Sequence, residues 1–411
     1  MAELKYWLWL TQRKGLEGRR RTELLERLGS PESIYFADEE EYRLLGVSER
    51  AIQALKDKSM DGVNRILGDC DRLGIHIMTQ QDAGYPERLL AIHQPPEVLY
   101  WKGREIAFDD EAAVAIVGAR DATPYGLEVA NQLALDLTRA GVLVLSGMAQ
   151  GIDTAAVRAA LRAGGPVISV LGNGLDVIYP RQNRDLYEDV AAAGMLISEF
   201  PPGTEPKGMN FPMRNRVISG LSVGVVVVES RRDGGGLITA NHALEQGREV
   251  FAVPGPIGSP FSVGTNRLIQ EGAAKLILSA EDVVCEFLDR FPDKLGKRLP
   301  MDEDERKQRL AVPSGREEPE KPVEPAEEKV VDNQSEQDYI DWKNWANQLT
   351  DDQRQVMLAL TEGTRNVDDL VEKTQIPARR VLSALTILQI RGLAAEAGGN
   401  RFRAAVRLKM E

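Results

Sequence analysis

At 411 residues the chain is too long for one ordinary domain, and its composition, 43% hydrophobic and 28% charged, supplies apolar surface for at least one large core. Two cysteines (Cys70 and Cys285) exclude a disulfide framework, and three histidines exclude a zinc-ligand cluster, so no metal or other cofactor is expected. The net charge of −12 would ordinarily count against a nucleic-acid partner; residues 301–341 alone carry −8 of it, and residues 351–411 are net +2, so the acidity excludes no such partner.

No apolar run approaches the ~18 residues a membrane helix needs. The start, Met1-Ala2-Glu3-Leu4-Lys5, lacks the basic-then-apolar order of a signal peptide, so a cytoplasmic protein without a membrane anchor is expected. Residues 1–70 read as a helical domain. Within them Leu45-Gly46-Val47-Ser48-Glu49-Arg50-Ala51, set between two helical stretches, is similar to the hairpin of a helix-hairpin-helix DNA-binding unit. Its usual second glycine is Ser48, which favours a purely structural bundle of the same kind.

Residues 71–290 alternate strand and helix signals. Ala113–Val117 is an apolar, β-branched run that stops at Gly118; Pro124 opens a helix capped by Thr123 and closed by Gly141. Residues 142–145, 167–171, 195–197, 223–229 and 249–253 repeat the pattern, with helices between them, one of which is expected to be capped by Asp153 and another to run through Glu245. Continuous apolar strands separated by helices predict a doubly wound parallel sheet buried on both faces, an α/β fold of the extended Rossmann-like kind. Residues 291–345, rich in Glu, Lys and Pro, cannot bury enough surface to offset their chain entropy and read as a disordered linker. Residues 346–411 suggest a winged helix: a helix over 353–360, a helix-turn-helix over 367–390 broken at Gln375-Ile376-Pro377, and a hairpin wing over 393–405. Arg379 and Arg380 open the would-be recognition helix, which suits either reading DNA or docking a protein.

In an open α/β sheet, ligands bind beyond the carboxyl ends of the strands. Here those ends are glycine loops: Gly118-Ala119-Arg120, Ser146-Gly147 through Gly151, Gly172-Asn173-Gly174 and Gly234-Gly235-Gly236. Glycine lets backbone N–H groups approach an anion, and a helix N-terminus beyond adds a favourable dipole, which together make a phosphate cradle. There is no Gly-Lys-Ser/Thr, so a phosphate-loop ATPase lacks its lysine and magnesium ligand. Arg120 occupies the place of the second glycine of a dinucleotide fingerprint, so that model fails as well. His76, His93 and His242 have no triad partners in the sequence and read as packing, rim or surface residues.

Arg214-Asn215-Arg216, with Lys207 and Phe211 just before them, would add arginine forks to the same rim. The structural alternative pairs Arg214 or Arg216 with Asp153 or Glu229. For Phe211, stacking on a base and ordinary core packing are both open.

These residues also form an ordered set of motifs. Val114 to Arg120, Ser146-Gly147 through Gly151-Ile152-Asp153, Leu171-Gly172-Asn173-Gly174 through Tyr179-Pro180, Ser198-Glu199-Phe200-Pro201-Pro202-Gly203, Phe211-Pro212-Met213-Arg214-Asn215-Arg216, Leu237-Ile238-Thr239-Ala240 and Val253-Pro254-Gly255 resemble the DNA-processing protein A (DprA, or Smf) family over about residues 75–285. The resemblance implies a cytosolic, dimeric, non-enzymatic protein that binds single-stranded DNA and helps load the recombinase RecA during natural transformation. It also implies a DNA site holding Arg120, Gly147, Gly151, Lys207, Phe211, Arg214, Asn215 and Arg216, to which the glycine loops of the same rim add Gly118, Gly235 and Gly236.

Three positions depart from the family pattern: Ala119 where Ser or Thr is usual, Gly234-Gly235-Gly236 where Ser-Gly-Ser is usual, and Val157 where a histidine is customary. A rival reading is a nucleoside-monophosphate phosphoribohydrolase resembling the plant LOG enzymes. Aligned on Thr239, however, this chain has His242 in place of that family's catalytic glutamate. A third is a scaffold that mainly docks RecA.

Overall fold

The central strands are almost wholly apolar, with a lone serine at Ser146, Ser169 and Ser198, so their burial on both faces follows from the sequence. In the computed structural model, Ala113–Val117 (β3), Val167–Leu171 (β5) and Gly224–Val227 (β7) are buried throughout. The structure describes residues 2–295 apart from 14 and 17, and residues 339–341, 349–361, 363–390, 393–396, 401–405 and 407–409. The linker expectation therefore falls mainly outside the described residues. The chain divides into two compact units, Met1–Arg316 and Glu317–Glu411.

The first unit is built on one nine-stranded sheet. With His76–Thr79 (β1), Val98–Gly103 (β2), Leu143–Ser146 (β4), Met195–Ser198 (β6), Glu249–Ala252 (β8) and Lys275–Leu276 (β9), its order is β1-β2-β6-β5-β4-β3-β7-β8-β9. β1, β2 and β6 pair antiparallel; from β6 to β9 every pair is parallel. The strands after β3 add on one side as far as β6 and then on the other from β7. The order therefore reverses between β3 and β7, which is where an open α/β sheet presents a crevice.

Six helices precede the sheet: Ala2–Thr11 (α1), Gly18–Leu28 (α2), Pro31–Phe36 (α3), Glu39–Leu44 (α4), Glu49–Lys56 (α5) and Asp61–Leu73 (α6). Eight more accompany it: Glu87–Leu90 (α7), Pro124–Arg139 (α8), Ile152–Arg162 (α9), Arg184–Ala193 (α10), Asn210–Leu221 (α11), Gly235–Glu245 (α12), Val263–Gln270 (α13) and Glu281–Val284 (α14).

Thr123 caps α8 as expected, accepting from the Gly126 N–H at 3.2 Å, and Glu229 from the end of β7 accepts from the Thr123 N–H at 2.9 Å and its hydroxyl at 2.6 Å. Asp153 does not cap α9. The cap position is Gly151, and Asp153 lies in the first turn with its carboxylate turned back to the preceding loop. In the hairpin between α4 and α5, Ser48 is a helix cap, accepting from the Ala51 N–H at 3.3 Å, which accounts for a serine where a phosphate-binding hairpin would need glycine.

The N-terminal helices are not a body apart. Leu8, Trp9, Tyr42 and Ile52 belong to the same contiguous core as Val114, Val144 and Leu196 of the sheet. Trp7 donates to Gln81 at 3.1 Å, and Arg21 pairs with the largely buried Glu97 at 2.6 Å. At the other end the packed body runs beyond residue 290: Phe291 and Leu295 join that core, and Lys294 pairs with Glu111 at 2.5 Å.

The second unit holds the helices Asp351–Thr361, Val367–Thr374 and Ala378–Ile390, and the strand Arg401–Ala404 pairs antiparallel with both Ala394–Glu396 and Arg365–Asn366. This is a winged helix; the tip of the wing, 397–400, lies outside the described residues. Tyr339–Asp341, within the expected linker, pairs with Arg407–Lys409. Arg380 is engaged with Asp352 through two bonds of 2.7 and 2.8 Å. Val356, Leu370, Val381, Leu385 and Leu388 form the core of the unit.

Because the helices and the sheet share one core, removing residues 1–70 exposes apolar surface on the sheet. Thermal unfolding of that truncation should lose its sharp single transition; an unchanged, cooperative melt would show the helices to be dispensable.

Candidate nucleic-acid interface

The loops after β3 and β4 are held against each other by backbone. Gly151 has φ +77°, and a Cβ there would run into the carbonyl oxygens of Ala119 and Arg120. Only a residue without a side chain permits that approach and that φ. The contact fixes the 118–121 loop and leaves the Arg120 side chain exposed.

The loop after β4 closes on a carboxylate. Asp153 is buried; it accepts from the Gly147 N–H at 3.0 Å and the Ala149 N–H at 3.4 Å. Burial pushes its carboxyl up from the usual range, while the nearby Arg214 charge and these N–H bonds pull it back. The backbone donors expected to cradle a phosphate at Gly147 and Ala149 are thus already used by the protein's own acid.

Arg214, on α11, is 4% exposed. It donates to the Gly147 carbonyl at 2.7 Å and to the Val170 carbonyl, and its Nε donates to Asn215 Oδ1 at 3.1 Å. A Cβ on Gly147 would lie 2.7 Å from the guanidinium, so glycine is needed for this seat. Burial lowers the guanidinium to about 10, against the favourable Asp153 charge. Arg214 ties the ends of β4 and β5 together, and its role is a structural one that faces the site.

Phe211, one turn before Arg214, is its more accessible counterpart. Its ring is half-buried, with the guanidinium carbons of Arg120 and Arg214 5.4 and 5.8 Å from its centroid and the Tyr179 ring at 5.4 Å. On one side lies a cleft of about 950 Å³ at the β3/β7 reversal, reaching Gly118, Asn215, Gly235 and Gly236; on the other lies one of about 350 Å³ between Gly147, Gly172 and Arg181. Arg120, Tyr179, Phe211 and Arg214 line both, so the two form one groove with the ring at its middle. The N-terminus of α12, where no side-chain bond caps Gly234, opens on the larger cleft and favours negative charge there. Arg231 and Arg232 add exposed cations, against exposed Asp121 and Asp233.

Of the residues expected at the site, Gly118, Arg120, Gly147, Phe211, Arg214, Asn215, Gly235 and Gly236 line this groove. Gly151 supports it from behind, and Lys207 is exposed between the lining residues Pro206 and Gly208. Arg216 is a correction: it points away from the groove and pairs with Glu199 at 2.5 Å, both side chains largely buried. A residue two positions on from Arg214 in a helix lies on a different face, so one helix could not aim both at one rim. Burial raises the Glu199 carboxyl, and the Arg216 charge opposes that rise.

Sequence reasoning gave no role to Tyr179, Arg231 or Phe261. The signal for Arg231 was its place two residues after the strand predicted over 223–229. His76 stacks on Trp101 at 4.2 Å, and His242 stands 3.5 Å from Glu245 on α12.

The family model for DNA recombination-mediator protein A matches residues 76–288, and that for the DprA winged helix domain matches residues 343–400. The chain belongs to the DNA recombination-mediator protein A family. DNA processing protein DprA of Bacillus subtilis (strain 168) is 44% identical over 226 residues, 55% of this chain and 76% of that protein. Protein Smf of Synechocystis sp. is 35% identical over 297 residues, 70% of this chain and 73% of that one. The X-ray structure of DprA from Streptococcus pneumoniae matches with a TM-score of 0.61 at 32% identity, over 69% of this chain and 97% of that chain. The family-model match over residues 76–288 spans the sheet and the loops that make the groove, so this DprA/Smf chain carries its candidate site within the family domain.

Arg216→Ala should act on stability rather than directly on a ligand. Removing one partner of a buried ion pair costs about 3–5 kcal/mol, read as a lowered urea midpoint at unchanged slope. A midpoint equal to the parent's would return Arg216 to the list of ligand contacts.

Proposed function

We propose that this DprA-family protein binds single-stranded DNA along the groove centred on Phe211 and, through it, helps place RecA on DNA during transformation or recombination. The observation that carries the reading is an aromatic ring at the strand-order reversal, open to a cleft on each side and flanked by guanidinium groups. A base has a π-face whatever its identity, so a ring in a cationic groove binds single strands with little sequence preference. In a duplex the faces of the bases are already stacked and cannot reach the ring. Arg120, exposed and held from below by the Gly151 contact, supplies the phosphate-neutralising charge, and the α12 N-terminus adds a dipole of the right sign.

Binding, not bond cleavage, is the role the site supports. The position where the hydrolase reading needs a carboxylate is His242, outside the lining of either cleft. The proposal includes a cytoplasmic homodimer; the dimer is supported by the terminal strand β9, where Leu276 is 43% exposed and Leu278 just beyond it 80% exposed, since exposed apolar side chains at an open edge suit burial against a second copy. Among the described residues no helix is long and apolar enough to cross a membrane.

If Arg120 neutralises one phosphate, Arg120→Ala should weaken single-strand binding by about 1.5–3 kcal/mol, the range for a charge-assisted bond. The slope of log K against log salt should fall by about 0.7. A salt series followed by fluorescence anisotropy, on oligo-dT and on a duplex of equal length, reads both quantities. Equal affinity for the duplex, or an unchanged slope in the folded variant, would contradict the reading. Sedimentation at micromolar concentration should give twice 45.4 kDa, and a monomer there with binding intact would remove the dimer from the proposal.

A further inference from the structure

The far wall of the larger cleft repeats the chemistry of Phe211 with other residues. The guanidinium carbon of Arg231 stands 4.5 Å from the centroid of the Phe261 ring, and both side chains line the cleft. Arg231 is exposed and the ring half-buried, so this pair is at the surface of the groove and not in the core.

The backbone that carries the ring is also held in place. The Ser230 N–H donates to the Phe261 carbonyl at 2.7 Å, and the Gly264 N–H donates to the Ser230 carbonyl at 2.9 Å. Asn266 closes the base of the loop, donating to the Gly255 carbonyl at 2.9 Å and accepting from the Gly255 N–H at 3.1 Å. A Cβ on Gly264 would lie 2.7 Å from the Arg231 carbonyl, so the loop is seated against the end of β7 by backbone. The backbone that carries the ring is thus fixed before any ligand arrives, so binding does not have to order this loop.

We propose that Phe261 and Arg231 form a second base-stacking station, so that a bound strand runs from Phe211 past the N-terminus of α12 to Phe261. The inference rests on the single-strand reading and extends it by naming where the strand goes. One base takes the place over the Phe261 ring that Arg231 now occupies, and the displaced guanidinium, still beside the ring, reaches an adjacent phosphate. Gly235 and Gly236 line the same cleft, and at the exposed Gly235 the lack of a side chain leaves room for the backbone of the strand.

The test uses the full chain and oligo-dT strands carrying a single 2-aminopurine at successive positions, since that base loses fluorescence when stacked. Phe261→Ala should weaken binding of the parent-length strand by about 5- to 150-fold, the effect of removing one stacked base. It should restore fluorescence at a strand position distinct from the one restored by Phe211→Ala. Phe261→Leu keeps the apolar bulk and should lose the same quenching with an unchanged urea midpoint, while Arg231→Ala should lower the salt slope by about 0.7. If both Phe261 variants bind and quench like the parent while Phe211→Ala is weakened, the second station falls and the single-strand reading stands. If the Phe211 and Phe261 variants all bind like the parent, that reading falls with it. If Phe261→Ala weakens binding only along with a lowered urea midpoint, and Phe261→Leu binds and quenches normally, Phe261 is a packing residue and the inference is overturned.

Discussion

A guanidinium buried at the carboxyl ends of the parallel strands is the constraint around which the site is arranged. Water is excluded from Arg214, so its charge has to be met by fixed groups. The protein supplies carbonyls from two neighbouring strands and, nearby, the charge of Asp153. Asp153 in turn takes up the N–H groups of the loop after β4. Gly147 has to be glycine because the guanidinium lies where its side chain would be. The loop, the helix start and the strand ends are thereby tied to one another, and Phe211, three residues before Arg214 on the same helix, is presented at a fixed point above them.

The three arginines expected at the rim therefore do three different things. Arg120 is exposed and available to a ligand, Arg214 organises the floor, and Arg216 pairs with Glu199 behind it. Sequence spacing alone treats Arg214 and Arg216 as equivalent, because both are cations beside an amide. Helical geometry separates them by about 200°, which sends one to the groove and the other to a buried acid. The glycine loops have a similar history. They lie at the end of the sheet where the groove is found, but at Gly147 and Gly151 the glycine serves packing of protein against protein, with the N–H of Gly147 already satisfied by Asp153.

The sheet was legible because its strands are apolar runs ended by glycine, a pattern that survives without tertiary knowledge. The winged helix was legible from the Gln375-Ile376-Pro377 break and the spacing around it. The merging of the N-terminal helices with the sheet was not, since a contact such as Arg21 with Glu97 joins residues far apart in sequence and neither has a local partner that betrays it. Phe261 was missed for the same reason: its neighbours Pro260 and Ser262 describe a loop, and its pairing with Arg231 exists only once β7 and β8 lie side by side. The Thr123 cap was readable from Thr-Pro; the service of Glu229 to that cap required the fold.

Whether the bases of a single strand lie on aromatic rings in the groove of the α/β unit is tested most directly by photochemical crosslinking. An oligonucleotide with 5-iodouracil, irradiated in complex with the full chain and mapped by mass spectrometry of the crosslinked peptides, should attach to the peptide containing Phe211 or its neighbour Tyr179. Crosslinks confined to the winged helix, residues 349–409, would contradict the placement and move the DNA site out of the sheet altogether.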